Sequence, residues 1–431
     1  MIDRLLRQLD ASTCNFLAVK TVADTLLQAG FKKLEMADAD WQLEPDGRYF
    51  LTRNSSALFA FIMPENPENA PSFRIVAAHT DSPCFKIKPN AEMYGDGGVV
   101  SLNVEKYGGG ILYTWFDRPL SISGRVMLRG ENALSPREVL VDLRRPVAFI
   151  PHLAIHFNRA VNEGNPLSVQ KDMLPVVGYF TPEQIAEQKA NGGVVKMMLA
   201  KHLGIRPEEI IEYELNLYPT ELAGLAGMNN EYFQSGRIDD LSMCFAGMEA
   251  MIASADKKTP FVRVLALFDN EETGSGTKQG AHSPVLANIM ARIAGGTDNL
   301  VPAVARSFMV SADNAHAWHP NYNSKYDPTN HPVMGGGPVI KINANCKYMT
   351  DAQGAAVFSE LCREAGVPCQ YFVNHSDVAG GSTLGNILTG QLDINGVDMG
   401  CPLWAMHSAR ETAAVADQLN TVKVFTYFYS H

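Results

Sequence analysis

The sequence has no long hydrophobic segment: nowhere do about 20 apolar residues run without interruption, as a membrane-spanning helix requires. The first 30 residues include acidic side chains and lack the unbroken apolar core of a secretory signal. Runs of basic residues are also missing, and 36 Lys and Arg against 46 Asp and Glu give a formal charge of −10. These absences predict a cytoplasmic protein with no membrane and no nucleic acid as its main partner.

Cysteine is scarce and unpatterned. The seven cysteines are an odd number and form no CxxC pair, so we expect reduced, structural thiols rather than a cysteine-ligated zinc. The remaining composition is ordinary for a globular protein, with 431 residues, 46% hydrophobic and 19% charged. This length is enough for two or three domains with a sizeable core.

The fold prediction starts from residues 262–280. They begin with an apolar run that ends at Phe268, and glycines follow at Gly274, Gly276 and Gly280. A run of this length and β-branched content predicts a buried strand of a largely parallel sheet. Open α/β sheets bind their ligands at the carboxyl ends of such strands, so chemistry is expected just after Phe268.

Two adjacent glutamates, Glu271 and Glu272, lie at this point of the chain. Neighbouring carboxylates repel each other and lose hydration, so they need a cation or a proton to remain there. A solvated acidic loop is the plain alternative. With two metal ions nearby, one glutamate would serve as a ligand and the other as a general base.

Other metal-competent side chains also fall at strand ends or helix starts. His79 ends a predicted strand, and Asp81 points to the same side and can orient its imidazole. Asp239 opens a predicted helix, where a simple helix cap is the alternative. A mixed histidine and carboxylate shell suits zinc, and three carboxylates with one bridging hydroxide balance two Zn²⁺. The predicted ligands are His79, Asp239, Glu272, Asp313 and His407.

The chain is therefore expected to be an α/β protein with a mixed, largely parallel sheet and flanking helices. From about residue 90 to 230 the sequence changes to Gly-rich turns and short strand-like pieces, with few candidate catalytic residues. We interpret residues 1–89 and 231–431 as the catalytic domain. Residues 90–230 are then an inserted, β-rich domain.

Several segments, in this order, resemble the signature segments of the aspartyl aminopeptidases. These enzymes are dinuclear metalloaminopeptidases of the wider zinc exopeptidase superfamily. The resemblance runs from the N-terminal helix to the last helix, and it implies a zinc exopeptidase-like fold with the inserted region as a dimerisation domain. The segments are HTDSPCFKIKPN, GRIDDLSMC, DNEETGS, SADNAHAWHPNY and MHSARE.

The resemblance implies two Zn²⁺ per subunit, with one site exchangeable for Mn²⁺ or Co²⁺. His79 and Asp313 would bind one ion, Glu272 and His407 would bind the other, and Asp239 would bridge them. Each ion then keeps an open coordination position, as catalytic zinc sites do.

The same resemblance gives Glu271 the role of general base. It would activate a water that bridges the zinc ions and later pass the proton to the leaving amine. Asp81 counts among the catalytic residues through its partner His79. Asp240 stands where many relatives have a different residue, and we expect it to tune metal affinity without removing function.

His156 matches a family histidine that reaches into the active site of a neighbouring subunit. Family members assemble as dodecamers built from dimers, so the resemblance implies self-association and a nearly inactive monomer. Without the resemblance, His156 would be interpreted as a buried structural histidine.

Lys341 matches the lysine that lines the family's specificity pocket, and His319 and Tyr348 match polar residues near it. The implied substrates are peptides with a free N-terminal Asp or Glu. Taken alone, Lys341 would be interpreted as a strand lysine that faces solvent.

Three alternatives stay open on the sequence. The first is a broad or neutral aminopeptidase on the same scaffold, and the second is a non-catalytic oligomeric shell or cargo protein. The third is a deacylase or carboxypeptidase of the same superfamily, which would need a cationic group for a substrate α-carboxylate.

Overall fold

A computed structural model describes residues 1–66 and 71–431. The chain divides into two compact units. The first comprises Met1–Asp81, Ala223–Met406 and Glu411–His431, and the second comprises Ser82–Leu222 and His407–Arg410.

The helices and strands of the described residues follow in chain order. The α-helices are α1 (Ile2–Ala11), α2 (Asn15–Gln28), α3 (Val169–Asp172), α4 (Pro182–Ala190), α5 (Val194–Leu203), α6 (Ile238–Ala253), α7 (Val285–Ile293), α8 (Thr297–Ala305), α9 (Ala352–Ala365), α10 (Leu384–Leu388) and α11 (Val415–Ser430). The strands are β1 (Lys32–Lys33), β2 (Arg48–Arg53), β3 (Ala57–Ile62), β4 (Phe73–His79), β5 (Cys84–Tyr94), β6 (Val99–Tyr107), β7 (Leu120–Leu128), β8 (Arg137–Asp142), β9 (Val176–Tyr179), β10 (Ile210–Pro219), β11 (Gly224–Ala226), β12 (Tyr232–Ser235), β13 (Val262–Phe268), β14 (Phe308–Ala312), β15 (Ala315–His316), β16 (Val339–Lys341), β17 (Gln370–Phe372), β18 (Asn395–Gly400), β19 (Pro402–Trp404) and β20 (Glu411–Ala414).

The first unit is built on a mixed sheet in the order β1-β2-β3-β13-β4-β14-β18-β16-β17. Its centre, from β13 through β4 and β14 to β18, is parallel. β3 joins β13 in the antiparallel sense, and β16 joins β18 in the same sense. All seven residues of β13 are buried, because a central parallel strand is covered on both faces.

Helices cover both faces of this sheet, and alternate residues of the central strands enter two separate cores. Val76 and Ala78 of β4 pack in one core with residues of α1, α2, α6, α9 and α11. Ile75 and Ala77 pack in the other core with residues of α7, α8 and α10. This alternation is the two-residue period of a strand, and it fixes which side chains reach the edge of the sheet. A smaller sheet in the order β11-β12-β20-β19-β15 completes the unit.

The second unit is built on a six-stranded antiparallel sheet in the order β8-β7-β10-β5-β6-β9. Its core is apolar, with Phe85, Leu102, Ile122 and Leu217 fully or almost fully buried. α5 contributes Leu199 to the same core.

The predicted fold class is confirmed as a mixed, largely parallel sheet with flanking helices, together with a β-rich second unit. The division at residues 90 and 230, and the dimerisation role of the segment between them, stay predictions. Among the residues that the structure describes, none of the helices combines the length and apolarity needed to cross a bilayer.

Candidate metal centre

The site lies where three neighbouring parallel strands of the first unit end. Phe268, the last residue of β13, pairs with His79, the last residue of β4. β14 runs beside β4 in the same direction and ends one residue before Asp313. The strand ends therefore bring His79, Asp313 and the residues after Phe268 to one edge of the sheet.

Four buried side chains converge at this edge. His79, Asp239, Asp240 and Asp313 each offer one ligand atom, and these atoms all lie within 4.8 Å of one another. Nε2 of His79 is 3.6 Å from Oδ1 of Asp239. Glu272 also offers a carboxylate oxygen within 4.8 Å of one of Asp239, so Asp239 stands between two sets of donors.

Asp240 has a structural role that could not be predicted from the sequence. Its Oδ2 accepts a hydrogen bond from the backbone N–H of His79 (3.1 Å), and its Oδ1 accepts one from Asn314 N–H (3.2 Å). Asn314 directly follows Asp313, so one buried carboxylate fixes the backbone at two of the converging side chains. The peptide bond between Asp239 and Asp240 is cis.

The imidazole of His79 is oriented by Asp81. Nδ1 lies 3.0 Å from the backbone oxygen of Asp81 and 3.4 Å from its Oδ1. A carbonyl oxygen can only accept, so Nδ1 carries a proton, and the ring in its neutral form presents its lone pair at Nε2. This is the tautomer that binds a metal through Nε2.

The carboxylate of Asp81 also holds the two glutamates in place. Its Oδ1 accepts from the backbone N–H of Glu271 and its Oδ2 from that of Glu272, both at 3.1 Å. The glutamates lie in a 3₁₀ turn, Glu271–Thr273, that begins after Asn270 in the left-handed region at φ 63°. Asp81 thus links the histidine strand to the glutamate turn.

Asn15 and Asp269 also support this turn, through a contact that could not be predicted from the sequence. Nδ2 of Asn15, at the start of α2, donates to both carboxylate oxygens of Asp269 at 3.1 and 3.0 Å. Asp269 in turn accepts from Asn270 N–H at 2.8 Å. The two residues are far apart in sequence, so no local pattern could have paired them.

The buried acids have raised pKa values. Burial raises the pKa of Glu271 to about 8, and the nearby carboxylates of Asp313, Glu272 and Asp81 reinforce the shift. Burial likewise raises the pKa of Asp240 well above its usual range. Low-dielectric surroundings and like charges both disfavour a carboxylate anion.

The pKa of His79 is raised as well, although burial acts on it in the opposite sense. Burial alone lowers its pKa, but the carboxylates of Asp240, Asp239 and Asp81 outweigh burial and raise the pKa well above its ordinary value. The cluster therefore demands positive charge. A divalent cation meets that demand, and the nitrogen and oxygen donors are those that zinc accepts, so these residues fit a zinc centre.

Lys341 places a buried cation beside this centre. Only 4% of it is exposed, so the expectation of a solvent-facing strand lysine is wrong. Its Nζ lies 3.4 Å from Oδ1 of Asp313 and 5.7 Å from the ring centre of Tyr348. Burial alone lowers the pKa of Lys341, but Asp313 and then Tyr348 raise it above its ordinary value.

His319 lies in a different set of contacts. Its Nδ1 accepts from Asn321 N–H at 3.2 Å, and its ring centre is 4.9 Å from that of Tyr322 and 6.5 Å from that of Trp404. The structure thus brings Lys341 and Tyr348 together, while the contacts described for His319 are with Asn321 and two other aromatic rings.

The remaining two predicted site residues belong to the second unit. His156 is exposed, so its interpretation as a buried structural histidine is wrong. His407 has a left-handed backbone, with φ 68°, and its Nδ1 lies 3.2 Å from the backbone oxygen of Gly109. The backbone oxygen of His407 accepts from Ile111 N–H at 2.9 Å.

Comparison with known proteins decides the family. The profile described as Aminopeptidase I zinc metalloprotease (M18) matches residues 8–429.

The chain belongs to the M18 peptidase family.

This family includes the aspartyl aminopeptidases, so the resemblance found in the sequence is confirmed at the family level. The protein is a zinc metalloaminopeptidase, as predicted. A relative from Clostridium novyi (strain NT), named probable M18 family aminopeptidase 2, is 43% identical over 432 residues, which cover 99% of this chain and 98% of the relative.

Solved structures agree with this M18 assignment. A chain from the cryo-EM structure of the Ape4 and Nbr1 complex has a TM-score of 0.95 and 35% identity, covering 99% of this chain and 85% of that one. A subunit of the S. cerevesiae mApe1 dodecamer has a TM-score of 0.86 and 27% identity, covering 100% of this chain and 96% of that one.

Proposed function

We propose that this M18 aminopeptidase removes acidic residues, Asp and also Glu, from the free N-termini of peptides. The observation that carries the proposal is the buried Lys341 beside the metal centre, 3.4 Å from Asp313. When Asp313 ligates a cation, its negative charge is shared with that cation, and Lys341 is left needing another anion. A substrate side-chain carboxylate supplies one.

We assign two zinc ions to each protomer, one of them exchangeable for Mn²⁺ or Co²⁺. His79 and Asp313 are assigned to one ion, Glu272 and His407 to the other, and Asp239 to both. The support is the convergence of His79, Asp239 and Asp313, and the approach of Glu272 to Asp239. His407 enters the set by the family resemblance.

Zinc, when bound, polarises the scissile carbonyl and makes water more acidic. The protein then has to accept a proton and return it. Glu271 is assigned this role because it directly precedes the assigned ligand Glu272 and its backbone N–H is held by the carboxylate of Asp81. Its carboxylate takes the proton of the attacking water and delivers it to the leaving amine.

Self-association is part of the proposal. The segment around His156 exposes large apolar side chains, and Phe157 is 82% exposed. Exposed apolar clusters of this kind are typical of protein interfaces. Together with the dodecameric mApe1 structure, this supports dimers and a dodecamer in which His156 acts at a neighbouring subunit's site. We place the activity in the cytoplasm, because all seven cysteines are in the thiol form in the described residues.

One observation favours a neutral aminopeptidase instead: Lys341 already has a carboxylate partner in Asp313. Hydrolysis of matched N-terminal Asp, Glu, Leu and Ala substrates by the wild type and by Lys341→Ala separates the two. Our proposal predicts a wild-type preference for Asp and Glu, and a loss in the variant confined to those substrates. An unchanged preference in Lys341→Ala would refute the acidic pocket.

A further inference from the structure

Asp398 is a buried carboxylate of the first unit that lies outside the metal cluster. It sits in β18, between β14 and β16, where it pairs with Ser311 of β14. The next residue, Met399, pairs with Ile340 of β16, which directly precedes Lys341. The side chain is fully buried. A buried carboxylate is costly unless its oxygens are satisfied, so its partners are informative.

Each oxygen of Asp398 is bound to a different segment. Oδ2 accepts from the backbone N–H of Met349, and Oδ1 accepts from the hydroxyl of Thr383, both at 2.6 Å. The backbone N–H of Asp398 donates to Oγ1 of Thr350 at 2.8 Å. One residue therefore ties residues 349–350 and the start of α10 to the same point of the sheet.

The first of these segments follows directly after Tyr348, the aromatic neighbour of Lys341. Tyr348 precedes Met349, and its ring centre lies 5.7 Å from Nζ of Lys341. The second segment approaches very closely: a Cβ added at Gly385, in α10, would meet Oδ2 of Asp398 at 2.4 Å. The close approach requires glycine at position 385.

An amide could not keep both of these hydrogen bonds. Asn offers one oxygen and one NH₂ group, so in either orientation one of the two anchors loses its acceptor. If the NH₂ group faced Met349, two N–H donors would oppose each other. With the NH₂ group toward Thr383, the hydroxyl would have to accept, and its own proton would lose its acceptor.

We infer that Asp398 is a positioning residue of the specificity pocket, which fixes the Tyr348 segment against Lys341 and so sets the preference for acidic N-terminal residues. This inference rests on the proposed function. Asp398 acts through Tyr348 and Lys341 and does not touch the substrate.

The test compares kcat and KM for N-terminal Asp, Glu, Leu and Ala substrates in zinc-loaded wild type and Asp398→Asn. We expect kcat/KM for Asp and Glu substrates to fall about tenfold or more, mainly through KM, because one buried hydrogen-bonding group is left unpaired. Leu and Ala substrates should change by less than about threefold.

Two sets of controls separate positioning from simple support of the fold. Asp351→Asn removes a carboxylate that caps α9 by accepting from Gly354 N–H at 2.7 Å, and it should leave the substrate preference unchanged. Thr383→Val removes only the hydroxyl at Oδ1 of Asp398, whereas Thr383→Ser keeps it. We expect a smaller loss of acidic preference in Thr383→Val than in Asp398→Asn, and wild-type preference in Thr383→Ser. If Asp398→Asn does not fold, the comparison of these two threonine variants tests the inference in its place.

The outcomes distinguish this inference from the proposed function. A wild type without acidic preference overturns both. A selective wild type whose Asp398→Asn variant loses activity equally on all substrates, or keeps its Asp-to-Leu ratio, overturns the positioning role alone. A selective wild type with equal ratios in Thr383→Val and Thr383→Ser does the same.

Discussion

The metal cluster of the first unit buries polar side chains, whereas the segment around His156 in the second unit exposes apolar ones. In the cluster, His79, Asp239, Asp240 and Asp313 are buried. Around His156, apolar side chains such as Phe157 are left in water. A folded chain normally avoids both arrangements. We infer that function, rather than stability, determined the residues at both places: the cluster binds a cation, and the exposed segment forms the proposed protein interface.

The largest effect is expected at Glu271, the residue assigned to accept the proton of the attacking water. Glu271→Gln keeps the shape of the side chain but removes the base, so kcat should fall by about 10²–10⁴-fold. Zinc content, measured by elemental analysis, should stay at the wild-type level. Glu272→Gln is the matched neighbour, and it should lose zinc as well as activity. Retention of wild-type turnover by Glu271→Gln would contradict the base assignment.

A substitution in the exposed segment around His156 should change self-association rather than metal binding. Phe157→Asp puts a charge on an apolar surface, and we expect it to weaken self-association by at least about tenfold in sedimentation experiments. Zinc content should be unaffected, since Phe157 is not among the residues assigned to the zinc ions. His156→Ala should lower activity while leaving assembly intact. If Phe157→Asp assembles like the wild type, this segment is not the interface.

Asp240 is expected to have a moderate effect on the cluster. It supports the backbone of His79 and Asn314, as outer groups of a metal site do. Asp240→Asn should weaken zinc binding about 10–100-fold, measured by competition with a chelator. At saturating zinc, kcat should recover most of its wild-type value. An unchanged zinc affinity would show that the neighbouring backbone holds without this carboxylate.

The smallest effect concerns the stability of the metal-free protein. Because the folded state raises the pKa of Glu271 from 4.5 to about 8, the folded protein binds this proton more tightly than the unfolded chain. The free energy of unfolding should therefore fall as pH rises through this window, by at most about 1.4 kcal/mol per pH unit for this group, and level off above it. In thermal melts of chelated protein, Glu271→Gln should show a shallower decline than the wild type. Parallel declines would argue against this titration.

Much of the catalytic unit could be predicted from the sequence. The apolar run ending at Phe268 is the strand Val262–Phe268, and the helix opened by Asp239 begins at Ile238. These features are local, because runs and periodicities reflect burial within one element. Strand ends then indicated where His79 and Asp313 would meet.

The remaining features depend on contacts between distant parts of the chain. Asn15 meets Asp269, Asp240 meets Asn314, and Asp398 meets Met349 only after the sheet has formed. Nothing near those residues in the sequence specifies their partners. Without the family resemblance, the exposure of His156 could not be predicted for a related reason: apolar neighbours predict burial, and the sequence does not say whether the same chain or another one provides it.

The most direct test of the account is a zinc titration of chelated protein, with bound zinc and hydrolysis of a free N-terminal Asp substrate measured in the same samples. We predict that activity is lost on chelation and returns with zinc, reaching its maximum at two ions per protomer. The N-acetylated substrate should stay uncleaved throughout. Undiminished hydrolysis by metal-free protein, or full zinc binding by a variant lacking both His79 and Asp239, would contradict the assignment of the buried cluster as the catalytic centre.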